Sequence, residues 1–133
     1  MIEIRYEAPN NREYRELRRV CGLTVYSQEA AAKGLPNACH NVMLYNKASL
    51  IGMGRVVGDG GTVFQIVDIA VHPDYQGLGY GRKIMDEIMV FLDYAAEEST
   101  YVNLIADYPA DKLYEQYGFK TTEPASTAMA RRY

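Results

Sequence analysis

The polarity of the chain alternates with two periods, and the switches between them mark its elements. In IEIRYEA, residues 2–8, apolar and polar side chains take turns, as in a strand with one buried face. NNREYRELRRVCGL reads as a helix: Asn10 or Asn11 is placed to cap it, Tyr14, Leu17 and Cys21 share one face, and Gly22 stops it. A shorter helix is expected from Ser27 through an alanine run to the breakers Gly34 and Pro36. HNVMLYN and SLIGMGRVVGD follow as two strands joined at residues 46–49, and DGG, residues 59–61, as a hairpin turn. The next strand, TVFQIVDIAVHP, is nearly continuous in apolar character from Ile66 to Val71 except at Asp68, which predicts burial on both faces.

The clearest helical stripe runs over 79–98, with Ile84, Ile88, Phe91 and Ala95 in line. TYVNLIAD is a further strand. PADKLYEQYG is expected as a helix opened by Asp107 and stopped by Gly118, and FKTTE and STAMARRY as closing strands. Together these make one α+β domain over residues 1–133, without repeats or linkers.

Composition narrows the class. With 48% hydrophobic and 23% charged residues, the chain has the balance of a folded globular protein. A formal charge of -3 argues against a nucleic-acid binder, which would carry a basic face. No apolar stretch is long enough to cross a bilayer, and MIEIRYEAP lacks the cations and apolar run of a signal peptide. The expected location is therefore the cytoplasm, with neither a membrane nor a nucleic acid as partner. Cys21 and Cys39 fit that compartment as reduced thiols, and neither belongs to a CxxC pair, so no metal is expected.

One short stretch carries chemistry. HPDYQGLGYGRK places Gly77, Gly79 and Gly81 at alternate positions between the apolar strand and the long helix, with Arg82 and Lys83 directly after. A helix start has unpaired N–H groups and partial positive charge, and glycines let an anion come close to them. A phosphate is the natural occupant. The Walker pattern is absent because Gly81 is followed by Arg82, and the glycine spacing does not fit GxGxxG. A turn that merely connects strand to helix stays open at this level.

The order of elements and two motifs resemble one family. Gln76-Gly-Leu-Gly79-Tyr-Gly81 is similar to the Q/R-x-x-G-x-G/A motif of the GNAT superfamily of acyl-CoA N-acyltransferases, and VDIAVHPDYQGLGYG resembles its fourth strand entering the cofactor loop. ADKLYEQYGF, residues 110–119, resembles the family's second signature. The likeness runs from Thr62 to Phe119. It implies a mixed, mostly antiparallel sheet of about six or seven strands, splayed between the fourth and fifth and flanked by about four helices.

The resemblance also implies acetyl transfer from acetyl-CoA, with no metal, to the primary amine of a small molecule, amino acid or peptide. Its site residues carry over as follows. The main chain of Gln76, Gly77, Leu78, Gly79, Tyr80, Gly81 and Arg82 would cradle the pyrophosphate, with the charges of Arg82 and Lys83 beside it. The strand edge at Ile69, Ala70 and Val71 would pair with the pantetheine arm. An N–H of Ile69 or Val71 would polarise the thioester carbonyl. Tyr114 would protonate the leaving thiolate, with Tyr117 as its near neighbour in the motif. Asp68 could take a proton from the amine or bind it, or it could cap a helix or pair with an arginine; His72 and His40 are alternative bases.

Where relatives often carry Asn, this chain has Asp107, which cannot donate when ionised; Asn103 is a candidate substitute. The resemblance places the acceptor pocket on the first two helices and the late strands, which makes Tyr14, Tyr26, Glu29 and the C-terminal MARRY candidates for it. Tyrosines beside acids would suit a cationic or aromatic amine through cation–π contact. A homodimer is compatible with the resemblance. The alternatives are an acyl-CoA sensor without turnover and a nucleotide-phosphate protein unrelated to coenzyme A.

Overall fold

A computed structural model describes all 133 residues. Its centre is a five-stranded sheet in the order β1-β2-β3-β4-β5: β1 Ile2–Arg5, β2 His40–Asn46, β3 Ser49–Gly58, β4 Val63–Val71 and β5 Tyr101–Leu104. β1 to β4 are antiparallel neighbours, and β5 runs parallel to β4. Helices α1 Asn11–Val20 and α2 Gln28–Gly34 cover one face; α3 Tyr80–Ala95 packs on the other, with α4 Asp111–Glu115 beside it.

Local chemistry sets the boundaries. Asn10 and Glu13 form a capping box at the start of α1, and Gly22, at φ 74°, ends it. In the hairpin between β3 and β4, Asp59 Oδ1 accepts from the main-chain N–H groups of Gly61 and Thr62, both at 2.9 Å.

Successive residues of β2 and β3 alternate between two cores. Val42, Leu44, Ile51 and Val56 face α3 with Ile84, Met85 and Ile88, while Met43, Tyr45 and Met53 face α1 with Tyr14 and Leu17. Gly54 lets α3 approach: a Cβ there would lie 2.6 Å from Ile84 Cγ2 and 2.9 Å from Ile88 Cδ1.

Two features shape the site. β4 pairs with β5 only from Val63↔Tyr101 to Ile66↔Leu104, so the remainder of β4 diverges from its neighbour. At that point β4 is bulged: Arg55 pairs with Val67 and Met53 with Ala70, leaving Gly54 opposite both Asp68 and Ile69. Asp68 holds the left-handed conformation at φ 62°.

Two expectations need correction. FKTTE and STAMARRY form no strands, so the sheet has five strands rather than six or seven. Every side chain of residues 120–133 is exposed, and only Phe119 of that region packs on the core. Without an apolar face to bury, their alternation has nothing to pair for. The last helix also begins at Asp111 rather than Asp107, with Ala110 as its cap.

Candidate active site

The glycine stretch forms a short 3-10 turn, Pro73–Tyr75, then an exposed loop leading into α3. Gly77 and Gly79 have φ of 77° and 87°, a conformation in which a Cβ is strained. Gly79 caps the helix, and Lys83 N–H donates to its carbonyl at 3.0 Å. The main-chain N–H groups of Gly77, Leu78, Gly79, Tyr80, Gly81 and Arg82 donate to no acceptor within the chain. Gln76 differs from the expectation. Its N–H turns back to Pro73, and its side chain donates to the Val71 carbonyl at 3.0 Å. The open row of donors thus starts at Gly77.

The diverging part of β4 leads to this loop. His72 N–H donates to Ile51 O at 2.8 Å, so in an antiparallel ladder the main-chain groups of Val71 face away from β3. Ile69 follows Val71 on that outer edge by alternation. Ala70 has the reverse orientation, its polar groups committed to Met53 across the ladder, and therefore offers none to the splay. The Val71 carbonyl also accepts from Cys21 Sγ at 3.3 Å, and burial pushes that thiol up and keeps it protonated.

α4 brings Tyr114 beside the loop. Leu113 packs against Gly81, and the Arg82 side chain pairs with Gln116. Tyr117 donates to Asp86 on α3 at 2.5 Å. Tyr114 is buried and its hydroxyl has no partner in the chain, though it is not sealed from the outside. Its pKa is raised, first by desolvation and then by the negative charge of Asp107, so the phenol stays protonated throughout the neutral range. The free hydroxyl separates Tyr114 from Tyr117. Asn103 stands within the paired stretch of β5, opposite Gln65, and not on the splayed edge. Lys83 is exposed beside the first turn of α3.

The arginine partner left open for Asp68 is present twice. Its buried carboxylate pairs with Arg18 through Oδ1 and with Arg55 through Oδ2 at 2.9 Å; Oδ2 also accepts from Tyr14 at 2.7 Å. Sequence reasoning missed this cluster. Its local signals were Asp68 and Arg55, a lone acid and a lone cation inside the apolar runs IVDIAV and LIGMGRVV. The same cluster alters the reading of the tyrosines. Tyr14 is 1% exposed, and the cations over the Tyr14 and Tyr26 rings are the chain's own Arg55 and Arg18, at 5.8 and 4.5 Å. His40 lies at the closed end of the sheet opposite Val56, stacked 4.5 Å from Phe91. His72 Nδ1 accepts from Asp74 N–H at 3.0 Å.

A splayed strand edge, a helix start rich in free amides and an unpartnered phenol together fit the fold of an acyltransferase. The acetyltransferase (GNAT) domain family matches residues 37–121. This chain belongs to that family.

A crystal structure of a protein of unknown function from meticillin-resistant Staphylococcus aureus, described as a "probable acetyltransferase", is 55% identical, covers 100% of both chains and superposes with a TM-score of 0.97. A GNAT family acetyltransferase from Streptococcus pneumoniae shares the fold at 22% identity and TM-score 0.81, covering 100% of this chain and 98% of its own. The uncharacterized N-acetyltransferase ycf52 of Gracilaria tenuistipitata var. liui is 36% identical over 75 residues, which are 56% of this chain and 40% of that protein. The chain thus spans about two fifths of the length of the curated relatives it matches.

Proposed function

We propose that this protein is an acetyl-CoA-dependent N-acetyltransferase acting on the primary amine of a small molecule, amino acid or peptide. The observation that carries the reading is the run of six consecutive main-chain N–H groups, Gly77 to Arg82, without an acceptor in the chain at the head of α3. They follow the splayed edge of β4 after the turn at Pro73–Tyr75. Such donors fit a pyrophosphate, and the edge fits a peptide-like arm. Acetyl-CoA would supply the activated acyl group as its thioester.

The chain's own residues then divide the remaining work. The Val71 or Ile69 N–H, on the outer edge of β4, is suited to donate to an oxygen that gains negative charge; one such donor is worth about 3 kcal/mol of barrier. Tyr114 keeps its proton until a thiolate leaves and can then give it up. Asp68 is reassigned to a positioning role. Its carboxylate oxygens are taken up by two buried guanidinium groups and the Tyr14 hydroxyl, which suits it to holding the bulge.

The test separates transfer from sensing. Acetyl-CoA binding is measured by calorimetry, and CoA release with a panel of amines. Tyr114→Phe should keep acetyl-CoA affinity within about twofold while the rate at saturating substrates falls by about 100-fold. Binding without CoA release from any amine would favour a sensor. Absence of binding would remove the reading.

A further inference from the structure

The outer face of α1 carries a row of arginines, the first of them where the helix itself disfavours a cation. Arg12 lies in the first turn, where the macrodipole favours acids and opposes cations. Arg15 and Arg19 follow on the same side, four residues apart, the spacing at which like charges repel along a helix. Glu16 could neutralise Arg12, but its carboxylate is held by Arg19 through bonds of 2.9 and 2.6 Å. Arg12 has no ion-pair, hydrogen-bond or ring partner. The chain as a whole has a formal charge of -3, so this basic group stands out against an acidic remainder.

The face is concave. Arg12, Arg15, Glu16 and Arg19 line an open cleft of about 700 Å³ with Val25 and Gln28 from the α1–α2 region. Arg15 Nε donates to the Tyr26 carbonyl at 2.9 Å, which fixes the loop as the opposite wall. The Asn11 and Arg12 N–H groups, also at the cleft, have no acceptor in the chain, because the Asn10 side chain serves Glu13. Arg12 thus breaks a local rule with no compensating partner, as is expected at functional or strained sites. Guanidinium forks beside free amides match the oxygens of phosphate or clustered carboxylates.

The geometry points to the α1–α2 cleft as a binding site for a multiply charged oxyanion, gripped by Arg12, Arg15 and Arg19. The site is distinct from the loop at 77–82, yet close to the bulge through the chain's own contacts. Arg15 holds Tyr26, Tyr26 stacks on Arg18, and Arg18 pairs with Asp68. An anionic group on the acceptor or a separate anion would meet the same chemistry.

Inorganic pyrophosphate titrated into the full chain and followed by amide NMR tests the site, because residues 11–28 and 77–82 report separately. Saturable shifts at 11–28 are expected, weakening as salt rises. The double variant Arg12→Gln/Arg19→Gln should weaken them about tenfold, whereas the charge-matched Arg131→Gln/Arg132→Gln should leave them within about twofold. No saturable shift at 11–28, or equal loss in both variants, overturns the proposal. A missing response at 77–82 alone would count against the cofactor loop instead. In turnover assays, pyrophosphate that raises acceptor KM at constant kcat assigns the site to an anionic acceptor; an unchanged KM assigns it to a separate anion.

Discussion

The two faces of the sheet are held by different forces. Against α3 the contacts are apolar and close: Gly54 admits Ile84 and Ile88, and Met85 and Leu92 complete a layer with no buried ion pair. Against α1 the apolar layer of Leu17, Met43 and Met53 is interrupted by an acid between two arginines. Apolar packing resists voids and overlap but has little sense of direction. An ion cluster is directional, and this one binds the residue at which β4 bulges. The splay is therefore positioned by the polar face, while the helix that presents the loop is positioned by the apolar one.

The largest expected effect tests the polar face. Asp68→Ala leaves two buried guanidinium groups without an anion and should cost about 3–5 kcal/mol in urea unfolding. A cost below about 1 kcal/mol would mean that the cluster is not what holds this face together. Next comes the apolar face. Gly54→Ala puts a Cβ within 3 Å of Ile84, Ile69 and Ile88, and should cost about 1–3 kcal/mol by overpacking. If the variant is as stable as the parent, α3 sits less tightly than described.

The smallest effect concerns the polar ring inside the apolar face. Desolvation lowers the His40 pKa between Tyr6 and Phe91, against a weaker opposing pull from Glu87. A depressed folded value means that the unfolded chain binds the proton more readily. The contribution to stability is thus complete above about 6.5, the unfolded value, and is lost as pH falls through the lower folded value. Melting temperature should fall less between pH 7.5 and 5 in His40→Phe than in the parent; parallel curves would remove His40 from the account.

The order of strands and helices through β5 and the glycine loop could be read from the sequence, because periodicity, caps and turn residues are local signals; Tyr114 was singled out by the likeness of its motif to a family. The site's other half was not legible in the same way. Asp68 meets Tyr14, Arg18 and Arg55 across separations of 54, 50 and 13 residues, and no local pattern reports such pairing. FKTTE alternates like a strand and yet pairs with nothing, since alternation describes a face and not the edge it must join.

What the sequence by itself determined was the order of the elements through β5 and the glycine stretch between β4 and α3, since those follow from periodicity and backbone freedom. What only the tertiary structure decided was the bulge at Asp68, the end of β4–β5 pairing at Ile66 and the arginine cleft on α1. Each of these depends on groups brought together from distant parts of the chain, where packing and charge balance rather than local preference set the outcome.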